Sequence, residues 1–117
     1  MEPWQIAVEA ARSKKAEDIV VLDIGKVSSF TEHFVICTGT NLRQTQAIAD
    51  AVQEKLREDG LRPLGIEGEQ RGEWILVDYG DMLVHVFTPD KRAFYDLERL
   101  WSKAPRLAVP EEASVEG

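Results

Sequence analysis

The run from Trp74 to Phe87, WILVDYGDMLVHVF, is the segment that most restricts what this chain can fold into. Two strand-like stretches flank Tyr79-Gly80, a pair that suits the tight turn of a β-hairpin. Apolar side chains occupy both faces of this hairpin, because they fall on odd and even positions of each stretch. A hairpin with two apolar faces is not stable alone in water. One face must therefore be covered by helices of the same protein, and what covers the other face is a question about function.

Pairing across the turn assigns each side chain to a face. If Tyr79-Gly80 is a two-residue loop, Asp78 lies opposite Asp81 and Trp74 lies opposite His85. One face then contains only compact apolar residues, as expected for a core packed under helices: Ile75, Val77, Met82, Val84 and Val86. The other face contains Trp74, Leu76, Asp78, Asp81, Leu83, His85 and Phe87.

The second face has the composition of a protein interface. It combines a tryptophan and aliphatic residues with two carboxylates at its tip, which is the pattern of an apolar centre with a charged rim. Like charges placed opposite each other repel unless a cation or a basic partner lies between them. The alternative is that this face is simply the other side of a fully buried sheet.

The remaining segments predict an α/β fold. Helices are predicted over residues 3 to 14, from an N-cap at Asn41 to Gly60, and after Thr88-Pro89. The last helix is expected to bury a stripe that consists of Phe94, Leu97, Leu100 and Trp101. Strands are predicted at 17 to 24, at about 33 to 38, and as a short piece at 64 to 66 within a mobile, glycine-rich loop.

This order of elements indicates one domain built on a mixed β-sheet of about five strands, with helices mainly on one face. A chain of 117 residues fits a single compact core. We assign residues 1 to 104 to the domain and expect residues 105 to 117 to form an acidic, disordered tail.

Charge restricts the class of partner. The formal net charge of -7 argues against sequence-specific or general binding of nucleic acid, which depends on Lys and Arg. Five acidic residues and one arginine lie between Leu64 and Asp81. This acidic bias is either a solvated loop or a surface complementary to a basic protein.

The sequence predicts no catalytic centre, metal or cofactor. The single cysteine, Cys37, lies in an apolar segment and is expected to be a small core residue. His85 has no nucleophile that the sequence pairs with it, and we interpret it as packed or facing a partner. Asp78 and Asp81 are separated by a turn rather than placed as a metal-binding pair. No stretch is long and apolar enough for a membrane span, so a cytoplasmic protein is expected. Because the sequence offers no catalytic set and no metal-binding pair, we do not expect an enzyme.

Four segments together resemble the ribosomal silencing factor family RsfS, also called the Iojap family. They are KAEDIVVLDI at 15 to 24, SSFTEHFVICTGTNLRQTQAIADAV at 28 to 52, GIEG at 65 to 68, and WILVDYGDMLVHVFTPDKRAFYDLERLW at 74 to 101. His33 is a departure, because many relatives have a tyrosine there.

The resemblance implies a nucleotidyltransferase-like fold, a homodimer when free, and binding to the large ribosomal subunit through its protein fourteen. Members of the family obstruct joining of the small subunit and lower translation when nutrients are scarce, and organelle relatives serve large-subunit assembly, which is an alternative role. An enzymatic role as a metal-dependent nucleotidyltransferase would need a Gly-Ser turn and a D-x-D strand, and Gly39-Thr40 is followed by neither. Carried over by position, the partner-binding residues are Trp74, Leu76, Asp78, Tyr79, Asp81, Leu83 and His85.

Overall fold

A computed structural model describes residues 1 to 109 as a six-stranded mixed sheet with four α-helices. The helices are α1 (Pro3–Ser13), α2 (Leu42–Glu58), α3 (Pro89–Tyr95) and α4 (Leu97–Leu100). The strands are β1 (Glu17–Asp23), β2 (His33–Thr38), β3 (Gly65–Glu67), β4 (Trp74–Asp78), β5 (Met82–Phe87) and β6 (Arg106–Leu107). The predicted α/β class and mixed sheet are confirmed. Within the described residues, no helix is long and apolar enough to cross a membrane.

The strands follow the order β3-β4-β5-β2-β1-β6 across the sheet. Among the strands of residues 1 to 109, β2 and β5 run parallel and the other four neighbouring pairs are antiparallel. The sixth strand comes from residues assigned to a disordered tail. Arg106–Leu107 pairs with β1, so that prediction is wrong for the start of the segment, while residues 110 to 117 lie outside the described part.

The two longest helices cover one face of the sheet, which we call the inner face. α1 buries Trp4 and small residues against it, and α2 buries the predicted stripe of Thr45, Ile48, Ala49, Val52 and Leu56. Asn41 caps α2 as predicted, because its side chain accepts a hydrogen bond from the Gln44 amide at 2.8 Å. The aliphatic hairpin residues all belong to this core: Ile75, Val77, Met82, Val84 and Val86.

The hairpin register differs from the prediction by two residues. Asp78 pairs with Leu83 and Trp74 pairs with Phe87, and the Tyr79 amide donates to the Met82 carbonyl at 2.9 Å. A shift of two keeps every side chain of β4 and β5 on its predicted face, because the side-chain period of a strand is two. Asp78 and Asp81 are nevertheless not opposed, so the argument from repulsion between paired carboxylates is wrong.

The last predicted helix is broken in two at Asp96. This residue has φ 48° and ψ 55°, in the left-handed region, which ends α3 and turns α4 in a new direction. Leu97 packs against the sheet on the face opposite to α1 and α2. Phe94 and Leu100 do not, and they are 75% and 72% exposed. The prediction that both are buried is wrong.

Candidate partner-binding surface

The second face of the hairpin, which we call the outer face, is only partly covered by the protein itself. Leu97, Trp101 and Ala104 pack over β1 and β2, where they contact an apolar cluster with Leu22 and Phe34. Over β4 and β5, by contrast, Trp74, Leu76 and Leu83 remain half-buried. The sequence left open the alternative that the second face is fully buried. That alternative does not hold for β4 and β5.

Trp74 is held in place by aromatic neighbours and by a hydrogen bond. Its ring lies 4.4 Å from Tyr95 and 5.1 Å from Phe87, measured between centroids. Its indole N–H donates to Nδ1 of His85 at 3.2 Å. The orientation of the tryptophan ring is thus set by contacts within the protein itself.

His85 is packed inside the protein. It is 4% exposed, and burial lowers its pKa to about 4. Because Nδ1 accepts the Trp74 N–H, the neutral ring carries its proton on Nε2. Nε2 is buried and has no hydrogen-bond partner within the described residues. Nδ1 carries the only ring lone pair that could accept a proton, and the Trp74 N–H already occupies it.

The exposed apolar surface extends from the hairpin onto α3 and α4. Tyr95 contacts Trp74, and Phe94 packs edge-on against Tyr95 with centroids 5.0 Å apart. A shallow groove lies between Phe94, Tyr95 and Leu100. Sequence reasoning missed this surface, because the spacing of Phe94, Leu97 and Leu100 fits one continuous helix and gives no sign of the break at Asp96.

Three of the residues carried over from the family lie at the hairpin turn. Tyr79 packs on the inner face beside the core, and Asp81 is exposed at the turn. Both line a cavity with the N-terminus of α1. Asp78 accepts a hydrogen bond from the Gly80 amide at 2.8 Å, which stabilises the turn. The predicted site therefore divides into an outer-face group, Trp74, Leu76, Leu83 and His85, and a turn group, Asp78, Tyr79 and Asp81.

The glycine-rich loop before β4 is tied to α2 rather than free. Thr45 donates its hydroxyl to the Gly72 carbonyl at 2.6 Å, and the Gln46 side-chain amide contacts the carbonyls of Glu69 and Gln70. The Gly72 amide also donates to the Gly68 carbonyl at 2.9 Å. The expectation of a mobile loop is not supported by these contacts.

Most of the acidic side chains around the hairpin make no ion pair within the described residues. Glu67, Glu69 and Asp81 are exposed, and the one arginine of the segment, Arg71, contacts Glu73 only at 3.7 Å with both side chains in solvent. An exposed pair at that distance contributes little. The acidic charge is therefore available to a basic partner.

The described residues offer little for chemistry. Within residues 1 to 109, no group of three His, Cys, Asp or Glu side chains is placed to hold a metal ion. Cys37 is fully buried, as predicted, and burial raises the pKa of its thiol to about 12. A thiol in that setting is not a nucleophile at neutral pH.

Comparison with known proteins gives one consistent result. The family described as "Ribosomal silencing factor during starvation", RsfS, matches residues 2 to 116. The chain is 43% identical over 106 residues to "Ribosomal silencing factor RsfS" of Chromobacterium violaceum, covering 90% of this chain and 87% of that protein. It is 33% identical over 100 residues to mouse "Mitochondrial assembly of ribosomal large subunit protein 1", covering 81% of this chain and 43% of that protein.

The fold has the same relatives. A crystal structure of a Chromobacterium violaceum protein, 40% identical, superposes with a TM-score of 0.83 and covers 97% of both chains. Sequence and fold agree over nearly the whole length. The chain therefore belongs to the RsfS family of ribosomal silencing factors.

Proposed function

We propose that this protein is a non-enzymatic factor that binds the large ribosomal subunit through its outer face, contacts ribosomal protein fourteen there, and blocks joining of the small subunit. The effect is to repress translation during starvation, in the cytoplasm where the subunits meet. The family supplies the ribosomal partner in general terms. The observation that carries the choice of surface is the exposed apolar strip from Leu76 through Trp74 to Phe94.

The physical case rests on the exposure of these side chains. Leu76 and Trp74 are half-buried and Phe94 is 75% exposed, so their apolar area stays in water when the protein is free. Removing such area from water favours association by about 25 cal/mol for each Å². Tryptophan at the centre of a patch is also a residue type that dominates binding energy. The strip is thus suited to be the centre of an interface.

Acidic groups around the strip favour a basic partner. Glu67 lies opposite Leu76 in the β3–β4 pair and Asp81 lies at the hairpin turn, and neither makes an ion pair within the described residues. Charge complementarity of this kind raises the encounter rate and sets orientation more than it adds affinity. A ribosomal protein rich in Lys and Arg would provide the matching surface.

The proposed mechanism is steric and requires no bound metal or cofactor. His85 and Cys37 are both buried with pKa values that keep them neutral, which agrees with a binding role. We also propose that free copies associate as a homodimer through the same apolar strip. In that case dimer formation and subunit binding compete for one surface.

A second role, in large-subunit assembly, is favoured by one observation. A mouse relative is named for assembly of the mitochondrial ribosomal large subunit. Silencing and assembly both require a face that binds the large subunit. The two roles differ in the stage at which the protein dissociates from that subunit. Loss of the gene would distinguish them, since an assembly role predicts accumulation of immature large subunits in growing cells and a silencing role does not.

Sedimentation with purified large subunits tests the proposed surface. The variants Leu76→Lys and Phe94→Lys place a cation in the apolar strip, and each should weaken co-sedimentation by about tenfold or more, since interface anchors contribute more than 1 kcal/mol. Leu42→Lys is the matched control, because Leu42 is a 47% exposed leucine on α2, on the other side of the sheet. The proposal fails if the wild-type protein does not co-sediment, or if the control loses as much affinity as the two variants.

A further inference from the structure

Helix α3 carries part of the exposed apolar surface but buries little apolar area of its own. It is seven residues long, and each of those residues is exposed or half-buried. A helix this short is not stable alone in water. Tyr95 supplies one contact with the sheet, because its ring lies 4.4 Å from that of Trp74, yet Tyr95 is itself exposed. Polar contacts are therefore needed to hold α3 in its position.

Arg92 connects α3 to three other parts of the chain. Its side chain is only 13% exposed. One terminal nitrogen, Nη1, donates to the Asp18 carbonyl at 2.6 Å and to the Thr38 hydroxyl at 2.9 Å. The other, Nη2, donates to the Glu98 carboxylate at 2.7 Å. The guanidinium therefore joins α3 to β1, to the end of β2 and to α4.

The acceptor in β1 belongs to a β-bulge. Between two paired positions β1 runs from Glu17 to Val20 while β2 runs from Thr38 to Ile36, so β1 contains one extra residue. Asp18 lies in this bulge with φ 50°, in the left-handed region, which costs free energy for any residue other than glycine. Such a conformation persists only where surrounding contacts fix it, and the hydrogen bond from Arg92 is one of them.

The contact with Glu98 links the two sides of the helix break. Glu98 lies in the first turn of α4, just after the left-handed residue Asp96. Burial raises the pKa of Glu98, but the hydrogen bond and the charge of Arg92 outweigh burial and hold this pKa below its ordinary value, so both groups are charged at neutral pH. The Arg92 carbonyl also accepts the Asp96 amide at 2.9 Å. Arg92 thus contacts the break with both its main chain and its side chain.

We infer that Arg92 is a positioning residue for the proposed binding surface: its guanidinium fixes the direction of α3 and α4, and with it the placement of Phe94 and Leu100. Phe94 follows Arg92 by two residues, and Leu100 follows Glu98 by two. Side chains that are held in one arrangement before association lose less entropy on binding. That this surface binds the large subunit rests on the proposed function.

A double-mutant cycle with purified large subunits tests this role. Arg92→Gln should weaken co-sedimentation by about tenfold in the wild-type background and by less than about threefold in a Phe94→Ala background, because the side chain that it displaces is then absent. A variant that acted only through general loss of stability would have the same effect in both. Arg57→Gln is the matched control, because Arg57 pairs with Glu54 at 3.1 Å on the exposed surface of α2. Equal effects of Arg92→Gln in the two backgrounds, or an equal loss from Arg57→Gln, would overturn the inference.

Amide hydrogen exchange of the free protein tests the same role without the ribosome. The Asp96 and Trp101 amides donate to the Arg92 and Leu97 carbonyls, and they should exchange about tenfold faster in Arg92→Gln while the amides of α2 do not change. Glu98→Gln keeps the size of its side chain and two of the three Arg92 contacts, so it should show a smaller change in the same direction even if Arg92→Gln does not fold. Unchanged exchange at both amides would sink the inference. If wild-type protein does not co-sediment, the proposed function fails, and the exchange rates still decide whether Arg92 positions the two helices.

Discussion

At the scale of single residues, the pair of Trp74 and His85 determines much of the behaviour of the outer face. The indole N–H occupies Nδ1 of the imidazole, so the ring is neutral, oriented and packed edge-on against Phe34 at 4.6 Å. Protonation of His85 would put an unpaired charge into this apolar cluster. The aromatic centre of the proposed interface is therefore sensitive to acid.

The pH dependence of stability follows from this pair. The pKa of His85 is 6.5 as the ordinary value and about 4 in the folded protein, because burial disfavours the charged ring. The unfolded chain thus takes up the proton first, and stability present above pH 6.5 is lost as the pH falls towards 4. We expect the free energy of unfolding to fall by about 2 kcal/mol between pH 7 and pH 5 from this group.

Urea unfolding at a series of pH values measures the effect. His85→Gln is the reference variant, because its side-chain oxygen can still accept the Trp74 N–H while the residue does not titrate. The wild-type protein should lose more stability than the variant over this range. Parallel pH profiles for the two proteins would contradict the account of His85.

At the scale of elements, the glycine-rich loop packs closely against the start of β4, and one of its glycines makes that contact possible. Gly68 has φ +79°, and a Cβ atom added there would lie 2.0 Å from the Trp74 carbonyl oxygen, on the strand that begins the outer face. At Gly65, in β3, an added Cβ atom would have no other atom within 4 Å. The two glycines of GIEG therefore differ in physical role.

Replacement of each glycine by alanine tests this difference. Gly68→Ala should lower the free energy of unfolding by about 2 kcal/mol or more, from left-handed strain together with displacement of the start of β4. Gly65→Ala should change it by less than about 1 kcal/mol. Denaturant unfolding measures both. A Gly68→Ala protein as stable as Gly65→Ala would show that the loop adapts freely, contrary to its contacts with α2.

The elements also show which parts of the fold could be predicted. Helical and strand periodicity identified α1, α2, β1, β2 and both hairpin faces, because burial of one face leaves a periodic pattern. The hairpin register could not be obtained that way, since registers two residues apart give the same faces. The break at Asp96 was also hidden, because a non-glycine residue in the left-handed region has no reliable sequence signature.

At the scale of the whole molecule, the two faces of the sheet are covered to different extents. The inner face under α1 and α2 is a closed apolar core, while the outer face is only partly closed by α3, α4 and the segment that follows. The candidate site was predictable where it depended on strand parity, as for Trp74, Leu76 and Leu83. Phe94 and the placement of Tyr79 were not, because they depend on how distant segments pack.

Site-specific cross-linking tests whether the outer face contacts protein fourteen of the large subunit, as we propose. A photoreactive amino acid is placed at Phe94 on the outer face or at Leu42 on α2, and each protein is irradiated with large subunits. We expect the probe at Phe94 to form an adduct with protein fourteen and the probe at Leu42 to form none with it. An adduct with protein fourteen from Leu42 alone, or adducts from Phe94 with other proteins only, would contradict it.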